Sequence, residues 1–185
     1  MATDYTDEDK EIIRFTQEHI ESLKAGSTPN IVFHIARSKN RNIVMYEAKL
    51  DAADPAKFAA EPIDGYWHDM EPSYQAISRK KGIMHDRVEI SWIEHKMAYG
   101  FAPTLVEDGA EVDLALVALP SRVMRLSLRD GKPVGVAEVS GKRCTVQFIF
   151  VKSVERTLLP PKCIYVDLYG TDLTTGETVV ERITP

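Results

Sequence analysis

Apolar positions near the N-terminus recur at helical spacing. They follow Thr6-Asp7-Glu8-Asp9, which resembles a capping box with Asp in place of the usual Glu. Gly26 comes soon after this stretch and is a typical helix terminator. We therefore predict a helix that runs to about Lys24 and forms an N-terminal extension, residues 1–26. Its predicted apolar stripe consists of Ile12, Phe15, His19, Ile20 and Leu23.

After this helix the apolar period changes to two, which is typical of strands. Strands are predicted near 31–37 and 43–50, joined by a polar tip. From Val112 onward, short β-like runs alternate with turn signals such as Asp130-Gly131. We therefore predict an α+β fold. A mainly antiparallel β-sandwich or flattened barrel, residues 30–185, carries the N-terminal helix and one inserted helix.

The inserted helix is predicted near 86–99, where a helical period returns. Val88, Trp92, His95 and Tyr99 fall on one face, and the glycine that follows is a natural C-cap. We expect Trp92 to lie in the core and His95 to be a hydrogen-bonded core histidine. Between the strands and this helix, the sequence PIDGYWHDM at 62–70 is compatible with one short strand.

A donor-rich hairpin tip is the first candidate site. Arg37 and Asn40 lie at the predicted turn. Arg offers a planar fork for a carboxylate or phosphate, and Asn offers a donor and an acceptor, so the pair suits an anionic ligand. The alternative is structural, because Asn stabilises turns and Arg37 would then pair with Glu94. Tyr46, which interrupts the apolar run of the second strand, is a further candidate.

Aromatic residues supply the other candidates. Trp67 and His68 lie in a segment flanked by prolines, and Tyr and Trp provide rigid contact area for a ligand or partner. The alternative is aromatic packing under a long loop. Tyr99, at the end of the predicted inserted helix, completes the candidate set.

Signatures of metal binding and catalysis are missing from the sequence. There is no CxxC, HExxH, GxSxG, Walker A or GxGxxG motif. The five histidines are scattered at positions 19, 34, 68, 85 and 95. We therefore expect neither a metal nor a cofactor, and no catalytic residue is identified.

Charge and composition exclude some classes of protein. The net charge of −5 and the pI near 5.6 argue against a general nucleic-acid binder. The N-terminus has no apolar region typical of a secretory signal, and no apolar run approaches the ~18 residues of a membrane span. Cys144 and Cys163 lie in β-like runs and are predicted to be free thiols. We expect a cytoplasmic protein without a nucleic-acid or membrane partner.

Five fragments stand in a distinctive order along the chain: FHIARSKNRN at 33–42, Tyr46, GYW at 65–67, WIEHKMAYG at 92–100 and YGTDLTTGETVVE at 169–181. In order and spacing they resemble one uncharacterised family, a domain of unknown function of bacteria and eukaryotes. The resemblance covers about residue 30 to the C-terminus and leaves the first helix outside. It implies no activity and no cofactor. The positions that match the recurring pattern of that family are Arg37, Asn40, Trp67, Glu94, Tyr99 and Gly100.

Three functions remain open at this point. The first is a non-catalytic binding module for a small anionic or peptide ligand, or for a protein partner. The second is a hydrolase that uses His34, His68 or His95 as a general base. The third is a scaffold that pairs through a sheet edge.

Overall fold

The fold is α+β, as predicted, and consists mainly of one large sheet. The computed structural model describes residues 4–68 and 87–185. Within these residues there is one long helix, α1 (Asp7–Ala25), and a short inserted helix, α2 (Trp92–Glu94). His85 and the last two residues of the predicted strand at 62–70 lie outside the described residues.

Eleven strands of the described residues form the sheet. They are β1 (Ile31–Arg37), β2 (Asn40–Leu50), β3 (Phe58–His68), β4 (Val88–Glu89), β5 (Phe101–Val106), β6 (Glu111–Leu116), β7 (Leu119–Arg129), β8 (Lys132–Val139), β9 (Lys142–Arg156), β10 (Leu159–Asp172) and β11 (Thr178–Ile183). Their order is β4-β3-β2-β1-β9-β8-β7-β6-β5, and β10, which also pairs with β9, carries β11. The sheet is mixed because β1 runs parallel to β9, and the described strands do not close into a barrel.

The capping box of α1 is confirmed. The Asp9 amide donates to Thr6 Oγ1 and the Thr6 amide donates to Asp9 Oδ2, each over 3.1 Å. The buried Asp9 carboxylate also pairs with Lys152 of β9, which ties the start of the helix to the sheet. The predicted apolar stripe is correct for Ile12 and Ile20, whereas Phe15 is exposed.

Two hydrophobic clusters lie on opposite faces of the sheet. In the larger one, side chains from β1–β3 pack together with side chains from β6–β8, so the sheet folds back on itself. Val44, Tyr46, Leu114 and Leu126 are among its fully buried members. In the smaller cluster, Ile20 of α1 packs with residues of β1, β2, β3 and β9. We call the two faces the inner face and the α1 face.

The hairpin turn at Asp130-Gly131 is confirmed. Both residues have positive φ, 51° and 74°, as a two-residue type I′ turn requires. The Ser140-Gly141 turn is built in the same way, with φ values of 49° and 76°.

The predicted inserted helix is wrong in its start, its length and its buried face. Val88 belongs to β4 and lies opposite Trp67 of β3. The helix begins only after Ser91, whose capping box with Glu94 fixes its N-terminus, and His95–Tyr99 then form a π-helical turn. Trp92 is 72% exposed and His95 is also exposed, so neither is a core residue.

Gly100 ends the π-helical turn, close to the backbone of His95 at the start of the same turn. A Cβ at this position would lie 2.0 Å from the carbonyl oxygen of His95. We expect Gly100→Ala to lower the free energy of unfolding by about 1–3 kcal/mol, the usual cost of overpacking. Chemical denaturation measures this loss.

Gly26→Ala is the matched control, because its Cβ would make an ordinary 3.5 Å contact with Ser22. We expect the control to change stability by less than about 0.5 kcal/mol. Equal effects of the two substitutions would contradict the close approach at Gly100.

Candidate functional site

The candidate site begins at the last residue of β1. Arg37 lies opposite Asn40 across a tight turn in which Lys39 has a φ of 58°. The Asn40 side chain accepts from the Asn42 amide over 2.8 Å and so stabilises the turn. Because side chains alternate along a strand, Arg37 and His34 lie on opposite faces of the sheet.

The Arg37 guanidinium is held by aromatic groups. Its Cζ lies 4.9 Å from the centre of the Trp67 ring, a cation–π contact, and Nη1 donates to Tyr99 Oη over 3.4 Å. Its Nε is buried and has no hydrogen-bond partner within residues 4–68 and 87–185. Of the ion pairs within 4.0 Å between described residues, none joins Arg37 to Glu94.

Glu94 does not pair with Arg37 because other donors already hold its carboxylate. Oε2 accepts from the Ser91 amide at 3.0 Å, from Ser91 Oγ at 2.7 Å and from Trp67 Nε1 at 3.3 Å. Burial alone would raise the pKa of Glu94. The hydrogen bonds from Ser91 and Trp67, together with the charge of Arg37, outweigh burial and hold this pKa below its usual value. Glu94 is therefore ionised and fixed beside the guanidinium.

Tyr99 is positioned from the core. Tyr46, which is fully buried, donates its hydroxyl to the carbonyl oxygen of Tyr99 over 2.9 Å. The Tyr99 ring meets Trp67 edge to face at 5.0 Å. Burial raises the pKa of Tyr99, so its hydroxyl stays protonated near neutral pH. The π-helical turn thus delivers a fixed neutral hydroxyl to Arg37.

These residues border a cavity of about 460 Å³, which we call the Arg37 pocket. It is lined by Arg37, Asn40, Asn42, Trp67, Val88, Glu89, Ser91 and Glu94. Its volume lies within the range of small-molecule sites. The lining combines one cation, an aromatic ring and neutral hydrogen-bonding groups with two acidic side chains, Glu89 and Glu94. Within it, Arg37 can hold an anionic oxygen group while the Trp67 ring offers a flat apolar surface.

The structure brings together four of the six candidate residues. Arg37, Asn40 and Trp67 line the pocket, and Tyr99 touches two of them. The other two candidates lie elsewhere. Tyr46 stacks on Phe33 in the core, and His68 is buried on the α1 face, where its Nε2 lies 2.8 Å from Nε2 of His19.

Sequence reasoning missed the contribution of Ser91 to this site. The sequence Ser91-Trp92-Ile93-Glu94 is itself a capping-box signal, S-x-x-E, at the start of a helix. This signal predicts a helix that starts at Trp92. It also predicts that the amide and hydroxyl of Ser91 donate to the Glu94 carboxylate. It would also have shown why that carboxylate is not available to Arg37.

Metal and membrane features are absent from the part of the chain that the structure describes. No group of three or more His, Cys, Asp or Glu side chains is arranged to hold a metal ion there. None of the helices in residues 4–68 and 87–185 has the length and hydropathy needed to cross a bilayer. Both cysteines are free thiols, with Cys144 buried and Cys163 half-buried.

Fold and site together define an α+β domain with a pocket at one end of its inner face, in which an arginine lies against an aromatic ring. The chain belongs to the family of the domain of unknown function DUF4833, whose model matches residues 33–182. The resemblance found in the sequence fragments is thereby confirmed. No curated protein and no solved structure matches the chain significantly.

Among the described residues no ion pair joins Arg37 to Glu94, and this has a consequence for stability. We expect Arg37→Ala to cost about 1 kcal/mol or less, the size of a partly exposed cation–π contact. Breaking a buried ion pair would instead cost about 3–5 kcal/mol. Denaturation curves of the variant distinguish the two values. Arg129→Ala, at an exposed arginine of β7, is the control. A loss of about 3–5 kcal/mol for Arg37→Ala would instead support a structural ion pair between Arg37 and Glu94.

His34 makes stability depend on pH. Burial, with a smaller effect of the Lys24 charge, lowers the pKa of His34 to about 3 from an ordinary value of 6.5. Between these two values the unfolded chain binds a proton at this residue and the folded chain does not. Stability is therefore present above the unfolded pKa and is lost as the pH falls towards about 3.

We expect wild type to lose about 1.4 kcal/mol more per pH unit across this window than His34→Gln. Denaturation at a series of pH values gives the two slopes. The other titrating groups are common to both proteins and cancel in the difference. Parallel profiles would show that His34 is protonated in the folded protein.

Proposed function

We propose that the domain is a non-catalytic binding module for a small molecule that presents a carboxylate or phosphate to Arg37. The observation that carries this proposal is the buried Nε of Arg37, which has no hydrogen-bond partner among the described residues. Buried polar groups are normally satisfied, and a guanidinium is satisfied best by a bidentate oxyanion.

The surroundings of Arg37 support an anionic ligand in three ways. Trp67 and Tyr99 fix the plane of the guanidinium before any ligand arrives, which reduces the entropy lost on binding. Glu94 Oε2 is held by Ser91 and Trp67, and among the described residues no ion pair within 4.0 Å joins Glu94 to the fork of Arg37. The half-buried Trp67 ring adds an apolar wall on which a planar ligand can stack.

Binding without catalysis is the simpler function for this arrangement. A general base must reach the proton that it removes. Among the described residues, the lining of the Arg37 pocket contains no histidine. Of the proposed bases, His34 and His68 are buried on the α1 face and His95 is exposed beside Phe101.

Trp67 provides an internal probe for the binding test. The chain has two tryptophans, so Trp92→Phe leaves Trp67 as the only fluorescent indole. In this background we expect inorganic phosphate, acetate or succinate to change Trp67 emission saturably. Arg37→Gln should weaken the active probe by roughly tenfold to a hundredfold, the effect of losing a hydrogen bond between charged groups.

Two further variants sharpen this experiment. Arg37→Lys keeps the charge but loses the planar fork, so it should bind the probe less well than wild type. Arg129→Gln removes an exposed arginine and should bind as wild type does. The proposal fails when no probe acts at millimolar concentration, or when Arg37→Gln and Arg129→Gln bind equally well.

A further inference from the structure

One edge of β9 is shared by two strands. β8 pairs with its first residues, as far as Thr145, and β1 pairs from Phe148 onward. Upstream of this point β8 diverges from β9 and continues along β7, where Val134 lies opposite Ser127. The divergence leaves a crevice between β8 and β1 on the α1 face.

Helix α1 covers this crevice and turns it into a cavity of about 290 Å³. We call it the helix-covered cavity. Its walls come from α1, β1, β8, β9 and β10, so it forms only when the helix is packed on the sheet.

His34 is the polar group of this cavity that calls for an explanation. The residue is only 3% exposed, and neither ring nitrogen has a hydrogen-bond partner in the part of the chain that the structure describes. The ring stacks on Phe148 with centres 5.4 Å apart, and Phe148 stacks in turn on Tyr169 at 4.2 Å. An apolar side chain could take this place without leaving two polar atoms unsatisfied. The imidazole is therefore suited to a partner that the protein does not supply.

Lys24 adds a positive charge to the same cavity. It lies near the end of α1, is half-buried, and its ion pair with the largely exposed Glu21 is long, at 4.0 Å. Burial holds the pKa of Lys24 below its usual value, and Glu21 compensates only in part. A half-buried cation and a buried imidazole that line the same cavity form a pair of donors for an anion.

The other lining side chains determine which chemical groups the rest of the ligand can have. Ile20, Ile31, Val134 and Val146 contribute apolar surface, and the volume is at the lower end of the range for small-molecule sites. Gln17, Thr145, Gln147 and Thr171 contribute neutral polar groups, so the cavity is charged at one end and of mixed polarity elsewhere.

We propose that the helix-covered cavity binds a small carboxylic acid, whose carboxylate accepts hydrogen bonds from His34 and Lys24 and whose carbon body packs against the apolar side chains of the lining. This site lies on the α1 face and is separate from the Arg37 pocket, which lies on the inner face. The proposal therefore stands or falls independently of the function proposed above.

The His34 ring itself reports binding. Protein labelled with ¹⁵N-histidine is titrated at neutral pH with butyrate, isovalerate and benzoate, and with the three corresponding amides. The His34 signals are assigned by their loss in His34→Gln. We expect at least one acid to shift these signals saturably while its amide leaves them in place. Inorganic phosphate, which has no apolar body, should not reproduce the effect.

Variants at the cavity complete the test. Lys24→Gln, a change on a half-exposed helix position that the fold tolerates, should weaken the active acid by roughly tenfold to a hundredfold. Lys10→Gln, at an exposed lysine of the same helix, and Arg37→Gln should leave this affinity unchanged. The proposal is overturned when no acid shifts His34 at millimolar concentration, when acid and amide act alike, or when Lys24→Gln binds as wild type does.

Discussion

The parallel pairing of β1 with β9 places both candidate sites. β9 is 15 residues long and offers one edge to β8 and then to β1. This register puts His34 opposite Phe148, beside the point where β8 diverges, and Arg37 opposite Val151, at the end of the inner face. A shift of one residue would exchange the two side chains between faces and remove both sites.

The Arg37 pocket depends on the core for its geometry. Tyr46 anchors the backbone of Tyr99 by a hydrogen bond. Gly100, which has no Cβ, allows the end of the π-helical turn to lie close to the carbonyl oxygen of His95. The aromatic pair then fixes the guanidinium, while the capping box of α2 holds Glu94 apart from it. The same contacts thus stabilise the fold and hold the Arg37 guanidinium in a fixed orientation. Core substitutions near Tyr99 are expected to alter the pocket as well as the fold.

Helix α1 joins the sheet through polar contacts as well as apolar ones. Asp9 serves two purposes, because its carboxylate closes the capping box and pairs with Lys152 of β9. Just before the helix, the Tyr5 hydroxyl bonds to Asp167, which Arg182 holds with two hydrogen bonds of 2.8 Å. These contacts hold in place the helix that covers His34.

The sequence by itself determined the features that depend on neighbouring residues. The period of apolar residues, the Thr6–Asp9 capping box and the Asp130-Gly131 turn act within a few positions, so the helix, the hairpins and the α+β class could be predicted. Of the candidate site residues, Arg37, Asn40, Trp67 and Tyr99 lie close together in the structure, and their role in binding stays a prediction. Tertiary structure decided the rest. Val88 and Glu89 pair with β3 as a strand although the sequence before Trp92 has a helical period. Tyr46 and His68 are buried away from the pocket. The β1–β9 register places His34 at a second cavity. Such outcomes depend on residues far apart in the chain, whose contacts no local pattern encodes.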